Sequence, residues 1–272
     1  MNVSYLGPKG TFSEIAVLHY FSSNISKIPK SSIENVFKSV EKLEVDYGLV
    51  PIENSVEGSV NNTLDLLSVS KVVITGEMEL IINQCLLSKK TDIRSIKRIY
   101  GHPQSLAQCK KWIYNNIPQA ELISVASNTS GALSLKKPGD ACIGAEIIAD
   151  YYSLEIISKN IQDYTNNSTR FLIIGNSTST PTGFDKTSLL IRPPNTGDSG
   201  SLYRLLEPFT NNEINLSRIE SRPSKTRNWN YVFFMDIDGH IQDENVKKTI
   251  ESLEDMAVEI KFLGSYPKIQ YK

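Results

Sequence analysis

The chain has 272 residues, with 29 Lys plus Arg against 30 Asp plus Glu and a formal charge of −1. That balance excludes the basic surplus of a nucleic-acid binder, and no apolar run approaches the roughly 20 residues a membrane helix needs. Three widely spaced cysteines, Cys85, Cys109 and Cys142, make neither a disulfide framework nor a paired metal motif, so a reducing cytoplasmic setting is expected.

In chain order, residues 2–6 read as a strand, which leaves no room for a secretory leader ahead of it. It feeds Gly7-Pro8-Lys9-Gly10-Thr11-Phe12-Ser13-Glu14, where Thr11 and Glu14 have capping-box spacing and predict a helix to about Phe21. Two glycines and Lys9 at a helix N-terminus suit an anion, although the same loop also serves as a tight strand-to-helix turn. It lacks the Gly-Lys-Ser/Thr ending of a nucleotide-binding loop. Ser31 and Glu34 repeat the capping spacing, and Ile33, Val36, Phe37, Val40 and Leu43 then share one helical face. A strand at residues 47–50 runs into Pro51-Ile52-Glu53-Asn54-Ser55, which puts Glu53 and Asn54 in a loop beyond a strand's carboxyl end, where open α/β sheets bind ligands.

A short helix over residues 59–67 and extended runs at 72–75 and 80–87 follow. A second αβ alternation begins with a strand at 98–101. His102-Pro103-Gln104 opens a helix carrying Leu106, Gln108, Cys109 and Trp112, and His102 reads as a capping or packing residue rather than a base. Strand 122–126 leads to a helix start at residues 127–131, then come strand 140–144, helix 146–152 and strand 154–158. The stretch Asp163 to Gly175 passes from a polar loop into a buried strand, with Thr169 and Arg170 at the join. An Arg fork there suits a carboxylate, and a Thr hydroxyl can donate to a leaving oxygen without carrying charge.

These pieces predict two αβ lobes closing on a small ligand at a site rich in hydroxyls and amides, with Lys9 and Arg170 as its cations. Such a site favours anion binding and hydrogen-bond donation over a covalent intermediate. Residues 176–186 form a Ser/Thr/Gly/Pro linker. Beyond it, strand 187–192, helix 200–210, strands 214–221 and 229–237, helix 244–253 and strand 258–266 make a βαββαβ series of roughly 80 residues.

With its motifs in this order, the chain resembles a monofunctional prephenate dehydratase with a C-terminal ACT regulatory domain. The resemblance rests on Gly-Pro-Lys-Gly-Thr-Phe-Ser, Pro51-Ile52-Glu53-Asn54-Ser55, His102-Pro103-Gln104 with Gln108-Cys109, Thr169-Arg170-Phe171 and Glu220-Ser221-Arg222-Pro223. It implies an α/β fold: a two-lobed catalytic region like a type II periplasmic-binding protein, plus a ferredoxin-like βαββαβ ACT domain. The expected boundaries are 1–178 for catalysis (lobe one about 1–76 plus 166–178, lobe two about 77–165) and 187–267 for the ACT domain. It further implies Thr169, Asn54, Gln108 and Glu53 as catalytic residues. Substrate would meet Arg170, Phe171, Lys9, Thr11, Ser55, Gln104, Thr129 and Ser130, with no metal and no cofactor.

The implied reaction turns prephenate into phenylpyruvate, under feedback inhibition by L-phenylalanine at Gly200, Ser201, Leu202, Asn215, Leu216, Glu220 and Ser221. Where the family's other ACT signature reads Gly-Ala-Leu-Val, this chain has Gly200-Ser201-Leu202-Tyr203, and Gly101 stands where some relatives have Ser. A homodimer or homotetramer is implied, with no nucleic-acid or membrane partner. The alternatives are an arogenate dehydratase and a non-catalytic amino-acid sensor.

Overall fold

The computed structural model describes residues 1–21, 24–89, 92–193, 199–223, 231–257 and 259–269. The chain opens with β1 (Asn2–Leu6), α1 (Phe12–Tyr20), β2 (Ser26–Lys30), α2 (Ile33–Glu41), β3 (Tyr47–Asn54), β4 (Gly58–Ser59), α3 (Asn61–Val69) and β5 (Val73–Ile81). Next come β6 (Cys85–Ser88), β7 (Arg98–Gly101), α4 (Pro103–Gln108), α5 (Lys110–Asn116), β8 (Glu121–Ser124), α6 (Asn128–Leu133), β9 (Asp140–Gly144), α7 (Ile147–Tyr152) and β10 (Glu155–Ser158). The rest is β11 (Ser168–Gly175), β12 (Asp185–Arg192), α8 (Ser201–Asn211), β13 (Leu216–Pro223), β14 (Tyr231–Asp238), α9 (Glu244–Glu254) and β15 (Glu259–Pro267). Among the described residues no helix is long and apolar enough to cross a membrane.

The strands form three sheets, ordered β2-β1-β3-β11-β5 with β4 paired to β3, β10-β6-β9-β7-β8, and β13-β14-β12-β15. The first two share one plan: second, first and third strands, then an inserted crossing strand (β11 or β6), then the fourth. This is the arrangement of type II periplasmic-binding proteins. The third sheet is antiparallel with βαββαβ connectivity, the ferredoxin-like pattern.

Strand periodicity builds the core of the second sheet. Leu86, Ala141 and Ile143 join Leu106, Cys109 and Ile113 on one face. Cys85, Leu87 and Cys142, one residue out of step, join Ala132, Ile148 and Ala149 on the other. Both faces are therefore covered, as βαβ crossovers require. In the third sheet Leu189, Ile191, Met235 and Ile237 pack with Leu205 and Phe209 of α8 and Val246 and Leu253 of α9.

By compactness the chain divides into Met1–Val36, Leu49–Val60 and Glu79–Phe171 as one unit, and Phe37–Gly48, Asn61–Met78 and Leu172–Lys272 as the other. The βαββαβ sheet thus shares its unit with α3 and most of β5. Within it, buried Glu77 of β5 is paired by Lys186 of β12 at 2.8 Å, and Lys261 of β15 donates to the carbonyls of Leu67, Ser68 and Ser70 at the end of α3. Residues 176–186 are tied down as well: Asn176 donates to Val40 O, Ser179 to Thr75 O, and Asp185 accepts from Thr182 and Gly183.

Several sequence expectations shift. Residues 51–54 continue β3 instead of forming a loop, because Glu53 and Asn54 pair with Ser59 and Gly58 of β4. Leu43 is 75% exposed, since α2 ends at Glu41 and Leu43 takes a left-handed φ of 58°. The expected capping box does not form: Thr11 donates to Leu6 O, while the Glu14 carboxylate accepts from Gly10 N–H. The extended run 80–87 is broken at 82–84, where Ile82 and Gln84 bond to the returning Asn167 and Ile161. The strand expected at 229–237 is described from Tyr231, and the one at 258–266 from Glu259.

Candidate active site

A cavity of about 540 Å³ lies within the first unit, a size suited to a small-molecule ligand. One wall comes from Leu6, Thr11, Phe12 and Ser13 around the start of α1, Asn54, Glu57 and Ser59 around the β3–β4 turn, and Thr169 and Phe171 of β11. The facing wall comes from Ile82 and Gln84, from His102, Gln104, Ser105 and Gln108 at α4, and from Ser127 and Asn128 at α6. No Lys or Arg is among the described residues that line it.

A chain of amides runs along this cavity, and its polarity is fixed from one end. The backbone N–H groups of Val56 and Glu57 donate to Asn54 Oδ1 at 3.0 and 3.2 Å. An N–H can only donate, so the other end of that amide must be nitrogen. Asn54 Nδ2 donates to Asn167 Oδ1 at 2.9 Å and to Thr169 Oγ1 at 2.9 Å. Asn167 Nδ2 then donates to Gln108 Oε1 at 3.0 Å, and Gln108 Nε2 to Glu57 at 3.4 Å. Asn54, Asn167 and Gln108 are all buried, so each unmade bond here would cost a full desolvation penalty. Because Thr169 Oγ1 accepts from Asn54, its own hydrogen is turned elsewhere, and it has no acceptor among the described residues.

The loop carrying Gly10 and Thr11 is pinned from beneath. Glu14, fully buried, accepts from Gly10 N–H at 2.7 Å, from Lys27 Nζ at 2.8 Å and from the Tyr151 hydroxyl at 2.9 Å. Burial alone would raise its carboxyl. The bonds from Lys27, Gly10 and Tyr151, with the Lys27 charge, outweigh burial and hold it below the usual value. Thr129 Oγ1 donates to Lys9 O at 2.8 Å and fixes the same loop from α6. Gly10 has φ of 86°, and a Cβ there would come 3.0 Å from Ile148, so the close approach calls for glycine.

Of the expected site residues, Thr169, Asn54, Gln108, Thr11, Gln104 and Phe171 line the cavity. Arg170 does not: strand alternation sets Thr169 and Phe171 on one face of β11 and Arg170 on the other. Lys9 is exposed and lines a separate pocket of about 350 Å³ with Glu14, Lys27, Tyr151 and Tyr152. Glu53 lies opposite Ser59 in the β3–β4 pairing. Ser55 straps the two strand ends, donating to Asn166 O and accepting from Ser168 N–H. Thr129 spends its hydroxyl on Lys9 O, and Ser130 is occupied with Ser127 in capping α6.

Gly200, Ser201 and Leu202 stand at the start of α8, with Gly200 at φ of 85°. Asn215 precedes β13 and donates to Asp238, Leu216 begins that strand, and Glu220 and Ser221 lie opposite Phe234 and Phe233. Sequence reasoning left out Asn167, although it lies two residues before Thr169, at the strand period that reaches the same face. It also left out Glu57 and Gln84, whose places come from long-range packing; Ser105 and Asn128 fall within the helix starts 102–108 and 127–130 that the sequence places at the cleft, but without a role of their own.

A prephenate dehydratase family model matches residues 3–179, and an ACT domain model matches residues 197–255. The chain is 45% identical over 272 residues to a bifunctional chorismate mutase/prephenate dehydratase of Pseudomonas aeruginosa, covering 98% of this chain and 73% of that protein. It is 33% identical to a prephenate dehydratase of Bacillus subtilis, covering 99% of this chain and 100% of that one. The crystal structure of a prephenate dehydratase from Arthrobacter aurescens in complex with L-Phe superposes with a TM-score of 0.90 at 32% identity, covering 98% of this chain and 90% of that one. On these likenesses the chain belongs to the prephenate dehydratase family, with an ACT domain following the dehydratase region.

Proposed function

We propose that the cavity converts prephenate to phenylpyruvate with Thr169 as the hydrogen-bond donor to the departing hydroxyl. The observation that carries this reading is the Asn54-to-Thr169 bond, which occupies the Thr169 oxygen and leaves its hydrogen for a ligand. In the reaction the bond from the ring to its carboxylate breaks and CO2 leaves. That electron pair completes the aromatic ring, and the ring C–O bond breaks on the far side. The departing oxygen takes up one proton from the buffered solvent and leaves as water, so that the dianion and one proton give CO2, water and the phenylpyruvate monoanion. Aromatisation drives the step, so the protein has only to hold the dianion and stabilise charge growing on one oxygen. A single preorganised donor of this kind is worth about 3 kcal/mol.

Asn54 and Gln108 act through orientation, and Asn167 links them. The substrate carboxylates fall to neutral donors: the hydroxyl of Ser13, the amide of Gln104 and the first-turn N–H groups of α1, with Thr11, whose hydrogen is held by Leu6 O, shaping the wall beside them. Glu53, Arg170, Lys9, Ser55, Thr129 and Ser130 act as supports around this set. The direct test is to incubate the purified protein with prephenate and follow phenylpyruvate; no product would overturn the reading.

For regulation, L-phenylalanine acts through Gly200–Leu202, Asn215, Leu216, Glu220 and Ser221 in an ACT domain at 187–267, beside a catalytic domain at 1–178. Support comes from the ACT match and from the L-Phe in the Arthrobacter structure. The proposal extends to a monofunctional enzyme, a reading supported by the full-length likeness to the Bacillus subtilis prephenate dehydratase; turnover of chorismate would contradict it. Exposed Leu202, Tyr203, Ile219 and Tyr231 in the ACT region support a homodimer or homotetramer, to be checked by light scattering. Cys85, Cys109 and Cys142 are buried and unbridged, in keeping with the cytoplasm.

A further inference from the structure

On the wall facing Thr169, a second hydroxyl is held in the same way. His102 N–H donates to Asn128 Oδ1 at 2.9 Å, which fixes the Asn128 amide just as Val56 and Glu57 fix Asn54. Asn128 Nδ2 donates to Ser105 Oγ at 2.9 Å, and Gln84 Nε2 donates to the same oxygen at 3.3 Å. Both lone pairs of Ser105 are occupied, and its hydrogen has no acceptor among the described residues. The far end of the Gln84 amide, Oε1, is buried without a partner, so this corner of the cavity is one hydrogen-bonding group short. Ser105, Asn128 and Gln84 all line the cavity that holds Thr169.

We propose that Ser105 is a specificity-determining residue: a hydroxyl restricted to donation that binds the keto oxygen of the substrate's side chain and disfavours an ammonium at that place. The inference rests on the dehydratase reading. Prephenate carries its hydroxyl at one end of the ring and its carboxylate and keto-acid side chain at the other. With the hydroxyl at Thr169 on β11, the side chain faces the α4 wall, where Ser105 stands. A keto oxygen accepts the Ser105 hydrogen. The ammonium of arogenate, the amino-acid counterpart, can only donate, and Ser105 Oγ has no lone pair left to receive it. A site built around one polarity rejects the other because the mismatch strands buried polar groups.

The experiment compares steady-state kinetics of wild type, Ser105→Ala and Ser105→Thr on prephenate and on arogenate. Ser105→Ala is expected to lower kcat/KM for prephenate about tenfold, mainly through KM, as for loss of one hydrogen bond to a strong acceptor. Arogenate should change by less than about twofold, so the preference narrows, and Ser105→Thr should restore it. Should the alanine variant fold poorly, Ser105→Cys, similar in size but a weak donor, should show the same loss. An unchanged KM for prephenate, with the hydrogen then spent on Gln84, or equal losses on both substrates, would overturn the inference while the dehydratase reading stands. If wild type turned over neither substrate, that reading would fall instead.

Discussion

Asn54 illustrates how a residue can be found without its role being read. The motif around it brings Asn54, Gln108 and Thr169 to notice, but as separate polar partners of a ligand. The structure joins them through Asn167, which is 1% exposed and bonded to both amides. Removing its side chain strands an oxygen on Gln108 and a hydrogen on Asn54. Asn167→Ala should therefore cost about 1–3 kcal/mol in urea unfolding and also lower kcat, because the Asn54 amide loses a partner beside Thr169. A variant that lost stability with full kcat would separate Asn167 from the catalytic geometry. Arg170 carries the complementary lesson. It looked like the carboxylate fork from sequence, yet a strand period of two turns it away from the face shared by Thr169 and Phe171.

At the level of elements, helix starts were legible and their chemistry was not. Capping-box spacing places the beginning of α1 correctly, but Glu14 is drawn instead into the cluster with Gly10, Lys27 and Tyr151, which local sequence cannot show. This cluster makes a pH-dependent contribution. The folded carboxyl lies below its unfolded value of about 4.3, so the stabilisation is complete above the unfolded pKa and is lost as pH falls through the folded one. The stability gap between wild type and Glu14→Gln, measured by urea midpoints, should be widest near neutral pH and close as the solution is acidified below about pH 4. A gap that stayed constant from neutral pH down would show that the Glu14 charge does not hold the loop.

For the whole molecule, the repeat of αβ units and the change to βαββαβ after residue 186 could be followed in the sequence, because hydrophobic periodicity records them. What could not be followed is that α3 and most of β5 fall in one compact unit with the βαββαβ sheet. Arg222 of β13, next to Ser221, bonds Asn61 and pairs with Asp65 at the start of α3, while Lys261 holds the other end of that helix. Val60, which immediately precedes α3, lines the cavity. An effector bound beside Arg222 can thus pull on a helix covalently joined to the catalytic wall, provided it binds one arrangement better than the other. Arg222→Ala should weaken phenylalanine inhibition by at least about fivefold while leaving uninhibited turnover within about twofold. Undiminished inhibition in that variant would remove α3 from the route.

The central claim is that one neutral hydroxyl, oriented by Asn54, performs the decisive hydrogen bond. Its most direct test is single-turnover conversion of prephenate by Thr169→Ala and Thr169→Ser, each shown to fold by its thermal transition. Thr169→Ser keeps the hydroxyl and should stay within about tenfold of wild type, whereas Thr169→Ala should be slower by about two orders of magnitude or more. Near-normal turnover by a well-folded Thr169→Ala protein would contradict the account.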